Sequence, residues 1–412
     1  MLEQLDAAGV VLIQGPKWCG KTTTATQAAK SIKYMDWPRE LEKNLFMAEE
    51  NPEVLLDGET PRLIDEWQLA PQLWDAARFT VDRRGKPGQF IFTGSAVPAD
   101  KSKIHHSGTG RFAWLTMRPM SLWESGESNG TISLTNLFAK KFSSAIAPDY
   151  SLDDLCYMIC RGGWPSSLAM NRKASLRQAK NYISAVCESD ISRVDNVRRD
   201  ASFARRLLRS YARNQGSQSP ISTIHADLSS GEAISMSEDT ISSYISALKK
   251  IFVIEDMPAW NPNLRSKTAI RASDTRFFVD PSVATAALGL GPKDLQNDLN
   301  TLGLMFETLA IRDLRVYAES IDGEVFHYRD RNGLECDAVI HLHNGNYGLV
   351  EVKLGGSKLE EEGAENLKKL SSKIDTDKMN EPSFLMVLTG LGSYAYQRED
   401  GVLVVPIGCL KD

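Results

Sequence analysis

The sequence predicts an α/β protein with a parallel sheet at the N-terminus, a mostly helical middle and a second α/β region at the C-terminus. Three observations carry this prediction. Apolar strand-like runs alternate with helix-compatible segments at first, helical periodicities fill the middle, and apolar runs with tight turns return near the end. A chain of 412 residues is too long for a single core. We therefore expect domains over residues 1–145, 146–271 and 272–412.

The composition is that of an ordinary globular protein, with 42% hydrophobic and 25% charged residues. The net charge of −5 argues against a generally basic nucleic-acid-binding surface but leaves room for a local basic patch. No apolar run reaches the ~18–20 residues that span a membrane, and the N-terminus lacks a signal-peptide pattern. The six cysteines include no C-x-x-C pair, so neither a zinc ribbon nor a disulfide framework is indicated. We expect a cytoplasmic protein that contacts no membrane.

The segment Gly15–Thr22 fits the phosphate-loop pattern G-x-x-x-x-G-K-[ST]. It follows the apolar strand-like run Val10–Ile13 and precedes the helix-compatible run Thr22–Lys30. In such a loop glycines allow backbone N–H groups to point at phosphate oxygens, and the helix N-terminus adds its positive dipole. Lys21 is predicted to contact the β- and γ-phosphates and to act in catalysis, and Thr22 to bind Mg²⁺. The predicted nucleotide-binding residues are Gly15, Pro16, Lys17, Trp18, Cys19, Gly20, Lys21, Thr22, Thr23 and Ser95.

A second motif supports the first. Pro61–Glu66 is a short apolar strand that ends in two carboxylates, as a Walker B motif does. Strand C-termini in parallel sheets open where ligands collect. Asp65 is predicted to hold Mg²⁺ through water, and Glu66 to orient and deprotonate the attacking water. The expected cofactors are ATP and Mg²⁺, and the expected reaction is ATP hydrolysis.

The rest of this region supplies two further candidates. We predict a helix over Pro71–Arg84 and strands over Ile32–Asp36, Gln89–Thr93 and Phe112–Met117. Ser95 follows one of these strands and is either a sensor of the γ-phosphate or a strand-end cap. Arg111 precedes another, and either completes a neighbouring subunit's ATP site, which requires oligomerisation, or forms an internal salt bridge.

Further short motifs occur in a fixed order along nearly the whole chain. They are Gly15–Thr22, Leu63–Glu66, Phe92–Ser95, Gly110-Arg111, Arg118–Glu124, Gly162–Pro165, Phe306–Thr308 and Glu351–Lys353. With these motifs the chain resembles the prokaryotic AAA-type ATPases that carry a C-terminal restriction-endonuclease-like domain of unassigned function. The resemblance implies an AAA-type P-loop domain, a winged-helix module and a nuclease-like fold, in that order.

In the middle of the chain, helical periodicity predicts helices over Asn171–Asp190, Ser202–Arg213 and Met236–Lys250. A strand over Ile251–Ile254 and a turn at Pro258 complete the layout of a winged helix. Such a module either places its last helix in a DNA major groove or packs on the ATPase domain as a lid. A spacing of seven residues predicts that Arg199, Arg206 and Arg213 share one face of a helix. Such a basic face either contacts phosphate groups of nucleic acid or is simply exposed to solvent.

The C-terminal region holds a second candidate site. We predict strands over Phe326–Arg329, Leu334–His341 and Tyr347–Val350, the last of which leads directly into Glu351-Val352-Lys353.

Asp337, Glu351 and Lys353 reproduce the D…E-x-K spacing of restriction-endonuclease-like nucleases. The two carboxylates are predicted to bind a divalent metal and Lys353 to position or activate water for attack on phosphate. Glu307, on a preceding helix, is a candidate for another carboxylate. Alternatively, the fold is retained with an inert site.

Two functions remain open at this point. In one, an ATPase acts on DNA, with or without cleavage by the terminal domain. In the other, a nucleotide-dependent switch binds a protein partner and the terminal domain is inert.

Overall fold

The computed structural model describes residues 1–229, 237–261, 273–377 and 379–412. These residues form two compact units. The first unit comprises Met1–Arg118, Ala185–Ala201 and Ser243–Val253, and the second comprises the described parts of Pro119–Ser184, Ser202–Ser242 and Ile254–Asp412. The middle of the chain therefore contributes segments to both units. None of the helices in the described ranges is both long and apolar enough to cross a membrane.

The described residues contain strands and helices along their whole length. The strands are β1 Val10–Gln14, β2 Ser31–Tyr34, β3 Arg62–Asp65, β4 Phe90–Gly94, β5 Phe112–Thr116, β6 Ile132–Ser133, β7 Ala145–Ile146, β8 Gly323–Arg329, β9 Glu335–Leu342, β10 Tyr347–Lys353, β11 Leu385–Thr389, β12 Tyr394–Gln397, β13 Leu403–Pro406 and β14 Leu410–Lys411. The helices are α1 Leu2–Ala7, α2 Lys21–Ala28, α3 Leu41–Glu50, α4 Glu53–Leu56, α5 Leu73–Arg84, α6 Leu134–Phe138, α7 Leu152–Arg161, α8 Pro165–Leu168, α9 Arg172–Ala185, α10 Ile191–Arg193, α11 Ala201–Arg213, α12 Ile221–Ser229, α13 Glu238–Lys250, α14 Pro281–Leu288, α15 Pro292–Asn297, α16 Leu299–Ser320 and α17 Ser357–Lys373.

The first unit is built on a five-stranded parallel sheet in the order β2-β3-β4-β1-β5. Both faces are covered, which explains why its central strands are continuously apolar. On one face Val11 and Ile13 pack with Ala25 of α2. On the other face Val10 and Leu12 belong to a larger core that contains both aliphatic and aromatic residues. The alternating β/α order and the parallel sheet predicted from the sequence are confirmed, and this is the P-loop nucleoside-triphosphatase fold.

The parallel direction of these strands collects the candidate residues at one edge. The phosphate loop follows β1, Asp65 ends β3, and Ser95 follows β4. All three strands have their C-terminal ends on this edge. The topology therefore brings together side chains that are far apart in the sequence.

The second unit contains a seven-stranded sheet in the order β7-β12-β13-β11-β10-β9-β8. Strands β8, β9 and β10 form an antiparallel meander, and β10 then pairs in parallel with β11. Helix α17 makes the connection between β10 and β11 and packs Ala364, Leu367 and Leu370 into the core. The α/β character predicted for the C-terminal region is confirmed.

A buried ion-pair network fastens α16 within the second unit. The Arg312 guanidinium donates to Asp280 Oδ2 at 2.8 Å and to Asp313 Oδ1 at 2.6 Å. Asp313 also accepts the backbone N–H of Leu122 at 3.0 Å, and Asp280 accepts that of Gly163 at 3.0 Å. Two of the short motifs noted in the sequence, Arg118–Glu124 and Gly162–Pro165, thus have structural roles as partners of this network.

The strand predicted over Ile251–Ile254 is wrong, because this segment ends α13 in a turn. Phe252 adopts a left-handed φ of 58°. Its N–H donates to the Lys249 carbonyl oxygen at 3.0 Å, and the Val253 N–H donates to that of Leu248 at 2.9 Å. This is a Schellman closure of the helix, and it consumes the donors that a strand would need.

Other expectations for the middle region are also changed. The helix predicted over Asn171–Asp190 is present, but its last part is a π-helical turn over Val186–Asp190. The arginine face predicted from the sevenfold spacing is wrong, since Arg199 lies before α11 and is buried in a bidentate pair with Asp195. The predicted helix start at Met236 and the domain boundary at 271 lie outside the described residues.

Candidate functional site

The phosphate loop has the backbone curl that its sequence predicts. Gly15 and Gly20 adopt φ values of 154° and 104°, and Trp18 adopts 67°. A Cβ atom at Gly15 would lie 2.0 Å from the Met117 carbonyl oxygen, so only glycine fits beside β5. A non-glycine residue at positive φ is uncommon and occurs often at functional sites. The Trp18 side chain is half exposed at the rim of the loop, and Thr23 is exposed on α2.

Lys21 is folded back over the loop. Its side chain is buried, and its ammonium donates to the carbonyl oxygens of Gly15 at 3.0 Å and Pro16 at 2.7 Å. A phosphate oxygen is a stronger acceptor than a carbonyl because the bond is assisted by charge on both partners. The ammonium is therefore placed where bound phosphate would attract it.

Thr22 and Asp65 meet at the predicted magnesium site. The Thr22 hydroxyl donates to Asp65 Oδ1 at 2.8 Å, and the Thr93 hydroxyl donates to the same oxygen. Hydroxyl and carboxylate oxygens are the hard ligands that Mg²⁺ prefers, with water filling the other positions. This donor set fits the ion. Thr93 belongs to the Phe92–Ser95 motif, but the sequence did not indicate this role for it.

Glu66 lies immediately beyond β3 in a left-handed conformation, with φ of 55°. Its Oε2 accepts hydrogen bonds from the Ser95 hydroxyl at 3.0 Å and from the Gln68 amide. Burial raises the pKa of the Glu66 carboxyl, while Gln68, Lys21 and Ser95 act in the opposite direction. A positioned carboxylate with a raised pKa is suited to accept a proton from water. Ser95 therefore contacts the proposed base. Gln68 lies in no motif, so the sequence did not indicate its contact with Glu66.

Cys19 lies inside the loop and is completely buried. Its thiol donates to the Met117 carbonyl oxygen at 3.4 Å. Burial raises the pKa of this thiol, with Lys21 opposing the effect. Since the thiolate is the reactive form, the position favours a packing role for Cys19 over redox control.

Arg111 lies at the N-terminal ends of the parallel strands, whereas the phosphate loop lies at their C-terminal ends. It directly precedes β5, which runs parallel to β1 with Phe112 opposite Val10. Its Nε donates to Asp82 Oδ1 at 2.7 Å. The arginine therefore has the internal salt bridge that was one of the two alternatives. It cannot contact the phosphate loop of its own chain, and its action in a neighbouring subunit stays a prediction.

The C-terminal residues Asp337, Glu351 and Lys353 form one cluster. The Lys353 ammonium lies 2.6 Å from Glu351 Oε2 and 3.4 Å from Asp337 Oδ2. Asp337 also accepts the backbone N–H of Val352 at 2.7 Å, and Glu351 accepts the Asn366 amide at 2.8 Å. Strands β9 and β10 and helix α17 thus position this cluster. The three residues predicted from spacing are brought together, and Asn366 joins them.

The charges of this cluster perturb one another. Burial and the neighbouring Asp337 raise the pKa of Glu351 to about 7, against the effect of Lys353. Burial and Asp337 also raise the pKa of Glu307, a half-buried residue of α16. Burial alone would lower the pKa of Lys353, but Asp337 and Glu351 outweigh it and raise that pKa. Perturbed carboxylates of this kind are common at functional sites. Across the described part of the chain, no group of three or more His, Cys, Asp or Glu side chains is arranged to hold a metal ion.

The fold and the loop define the first part of the chain as a P-loop ATPase domain. Residues 7–125 match the family described as AAA domain. This match agrees with the P-loop fold of the region and supports a nucleotide-binding ATPase domain there. Residues 152–294 and 302–410 match two families that are each described as a domain of unknown function.

Two curated relatives cover most of the chain. Uncharacterized proteins of Mycobacterium tuberculosis and Mycobacterium bovis are each 25% identical over 355 residues, which is 85% of this chain and 71% of the relative.

Three solved structures are similar at low scores. A Walker-type ATPase of Pyrococcus abyssi has a TM-score of 0.41 at 15% identity, with 69% of this chain and 93% of that chain covered. The ORC2 protein of Aeropyrum pernix has 0.28 at 11% identity, with 73% and 91% covered. The ORC1 protein of the same organism, solved in complex with DNA, has 0.23 at 13% identity, with 67% and 85% covered.

Proposed function

We propose that this protein hydrolyses ATP with Mg²⁺ and acts on DNA through a metal-dependent, restriction-endonuclease-like C-terminal domain. The observation that carries the second half of this proposal is the cluster of Lys353 with Asp337 and Glu351 on adjacent strands. Two carboxylates beside a lysine are the groups needed to bind a divalent ion and to position water next to a phosphodiester.

The ATPase half assigns a role to each residue of the first site. Lys21 is to neutralise the β- and γ-phosphates, Thr22 and Asp65 are to hold Mg²⁺, and Glu66 is to accept a proton from the attacking water. Ser95 orients Glu66 through its hydrogen bond of 3.0 Å. Mg²⁺, when bound, supplies charge neutralisation of the phosphates. The remaining backbone of Gly15–Thr22 provides N–H donors for them.

The order of elements supports the restriction-endonuclease-like assignment. Helix α16 leads into the antiparallel strands β8, β9 and β10, and α17 then leads into the parallel strand β11. This α-β-β-β-α-β order is the one expected for that fold. The candidate residues lie on β9 and β10, two adjacent interior strands of the sheet.

The middle of the chain supports a DNA-binding module. Helices α11, α12 and α13 follow one another, and antiparallel bridges then join Ile254 to Phe278 and Met257 to Thr275. Three helices followed by these two isolated bridges resemble the layout of a winged helix, in which the last helix is the one that enters a groove of DNA.

A second candidate function is a nucleotide-dependent switch that binds a protein partner. One observation favours it: the Lys353 ammonium itself neutralises both carboxylates of the C-terminal cluster. In that case the cluster stabilises the sheet, and the ATPase domain alone carries chemistry.

The two candidates are separated by an assay of DNA cleavage. Labelled linear, branched and single-stranded DNA is incubated with the full chain and Mg²⁺ or Mn²⁺, with and without ATP. We expect cleavage that is lost in Asp337→Ala, Glu351→Ala and Lys353→Ala. Glu362→Ala, which removes an exposed carboxylate of α17, is the matched control and should cleave normally. Intact ATP hydrolysis without any cleavage would favour the switch, and turnover that survives Lys21→Ala would contradict both candidates.

A further inference from the structure

An ion pair connects the phosphate loop to a distant part of the chain. The Lys17 ammonium donates to Asp190 Oδ1 at 2.7 Å, across 173 positions of sequence. Both residues belong to the first unit, to which the middle of the chain contributes Ala185–Ala201. The Lys17 side chain is 45% exposed and that of Asp190 is 11% exposed.

The backbone around Asp190 is unusual. Asp190 is the last residue of the π-helical turn Val186–Asp190, which interrupts the run from α9 to α10. Single π-turns inside α-helices are rare and occur often at functional sites. Val186 and Cys187 of this turn are buried. The turn is thereby anchored, and its final carboxylate is directed at the phosphate loop.

Lys17 is the second cation of the loop. Lys21 already donates to the loop carbonyls of Gly15 and Pro16, so Lys17 is not needed to close the loop. Its ammonium forms an ion pair with Asp190 instead. A lysine two positions after the first glycine, within the loop that surrounds phosphate, is free to exchange one anionic partner for another.

We propose that the terminal phosphate of a bound nucleoside triphosphate replaces Asp190 as the ionic partner of Lys17. The segment Ala185–Ala201 then loses this ion pair to the phosphate loop and so responds to the nucleotide state. This inference rests on the proposed binding of ATP at Gly15–Thr22. A partly exposed ion pair between two side chains contributes little free energy of stabilisation. A hydrogen bond between an ammonium and a phosphate is stronger, because both groups carry charge. The phosphate also repels the Asp190 carboxylate, which favours the same exchange. A diphosphate lacks the group that competes for Lys17.

Polar contacts connect the segment Ala185–Ala201 to α13. Asp195 accepts two hydrogen bonds from Arg199, at 2.6 and 2.9 Å, and lies 3.5 Å from the Lys250 ammonium. Arg199 donates in turn to the Ser243 hydroxyl at 3.2 Å.

The loop after Ser95 reaches the same helix end. The Val97 N–H donates to the Lys250 carbonyl oxygen at 3.1 Å. Both sides of the nucleotide site therefore contact the C-terminal half of α13, the helix proposed to enter DNA. Such a chain of contacts can pass a two-state change from one site to another.

Hydrogen exchange of the full chain tests the proposal. Amide exchange of residues 185–201 is measured without nucleotide, with ADP and with a non-hydrolysable ATP analogue. We expect faster exchange with the ATP analogue and little change with ADP. Asp190→Asn and Lys17→Met should exchange at the faster rate without any nucleotide. Glu50→Gln, which removes an exposed carboxylate of α3 in the same unit, is the control and should behave as the unmodified protein does.

Binding measurements give a second readout. Asp190→Asn removes a negative charge that competes with phosphate for Lys17. We expect the ratio of ATP to ADP affinity to rise about two- to fivefold, the effect of losing one partly exposed ion pair. Lys17→Met should lower this ratio.

The ion-pair exchange and the nucleotide site on which it depends can be disproved separately. If ATP and ADP both bind, Lys21→Ala abolishes binding, and residues 185–201 exchange equally with either nucleotide, this inference is overturned while the ATPase stands. If the unmodified chain and Lys21→Ala are equally unable to bind nucleotide, the proposed nucleotide site fails and the inference fails with it.

Discussion

The Thr22 hydroxyl donates a hydrogen bond of 2.8 Å to Asp65 Oδ1, and this bond joins the phosphate loop to the end of β3. The two residues are 43 positions apart in the sequence and come from two separate motifs. Their oxygens are adjacent before any ion is bound. The arrangement is preorganised, so an incoming cation has to displace one hydrogen-bond contact but requires no movement of the sheet.

Asp65→Asn tests this role. The amide oxygen can still accept the Thr22 hydroxyl, but the negative charge that attracts Mg²⁺ is lost. We expect nucleotide binding without Mg²⁺ to stay close to that of the unmodified protein and Mg²⁺-dependent hydrolysis to fall at least about 100-fold. Asp6→Asn, at an exposed position of α1, is the control. Hydrolysis within a few-fold of normal would remove Asp65 from the metal site.

The pH dependence of hydrolysis should report the Glu66 carboxyl. Burial raises its pKa, so this group takes up a proton at a higher pH than an ordinary glutamate does. The protonated form cannot accept a proton from water. We therefore expect turnover at saturating ATP to fall as the pH is lowered through the raised pKa and to be restored when the pH is raised again.

Ser95→Ala should move that profile in a known direction. The Ser95 hydroxyl donates to Glu66 and lowers the pKa of this carboxyl. Its removal raises the pKa further, so the midpoint of the acidic limb should shift to higher pH. Glu66→Gln should lower turnover by about 10²- to 10⁴-fold at every pH while ATP still binds. A midpoint that shifts to lower pH in Ser95→Ala would contradict the assignment of Glu66 as the base.

Local patterns in the sequence were sufficient to predict the parallel N-terminal sheet, the α/β character of the C-terminal region and the central residues of both candidate sites. The loop Gly15–Thr22 follows a buried strand and precedes a helix, as its motif requires. Asp337, Glu351 and Lys353 meet because β9 and β10 are consecutive strands of one meander. In these two cases the residues lie within one loop or on consecutive paired strands, so spacing along the chain translates into proximity.

The partners that were missed are set by tertiary structure. Asp190 reaches Lys17 only because the middle of the chain returns to the first unit and a π-turn directs its last side chain. Asn366 reaches Glu351 across a helix packed on the sheet. The mistaken strand at Ile251–Ile254 has a local cause instead. Phe252 adopts a left-handed conformation that sequence propensity disfavours, and the helix closure stabilises it.

Arg312→Met should destabilise the second unit by about 3–5 kcal/mol, because it leaves two buried carboxylates without their cation. Burial raises the pKa of Asp313 to about 6 while Arg312 opposes this effect, so the substitution should raise that pKa further. Urea unfolding followed by tryptophan fluorescence measures the loss, with buried Trp164 and Trp260 among the reporters in this unit. Lys369→Met removes an exposed pair with Glu365 and should cost less than about 1 kcal/mol. Equal midpoints for the two variants would contradict the role of the network.

Arg111→Ala should have no effect on the ATP site of its own chain. Arg111 lies at the N-terminal end of β5, whereas the phosphate loop follows the C-terminal end of β1, and these strands are parallel. At protein concentrations where the chain is monomeric, we expect turnover per chain within about twofold of normal, since no transition-state contact is removed. Asp82→Asn, which breaks the salt bridge but keeps the arginine, is the control. Turnover is measured over a series of protein concentrations. A rate per chain that rises with concentration in the unmodified protein and in Asp82→Asn, but not in Arg111→Ala, would establish the intersubunit arginine; a loss of turnover in monomeric Arg111→Ala would contradict the placement of this residue outside its own site.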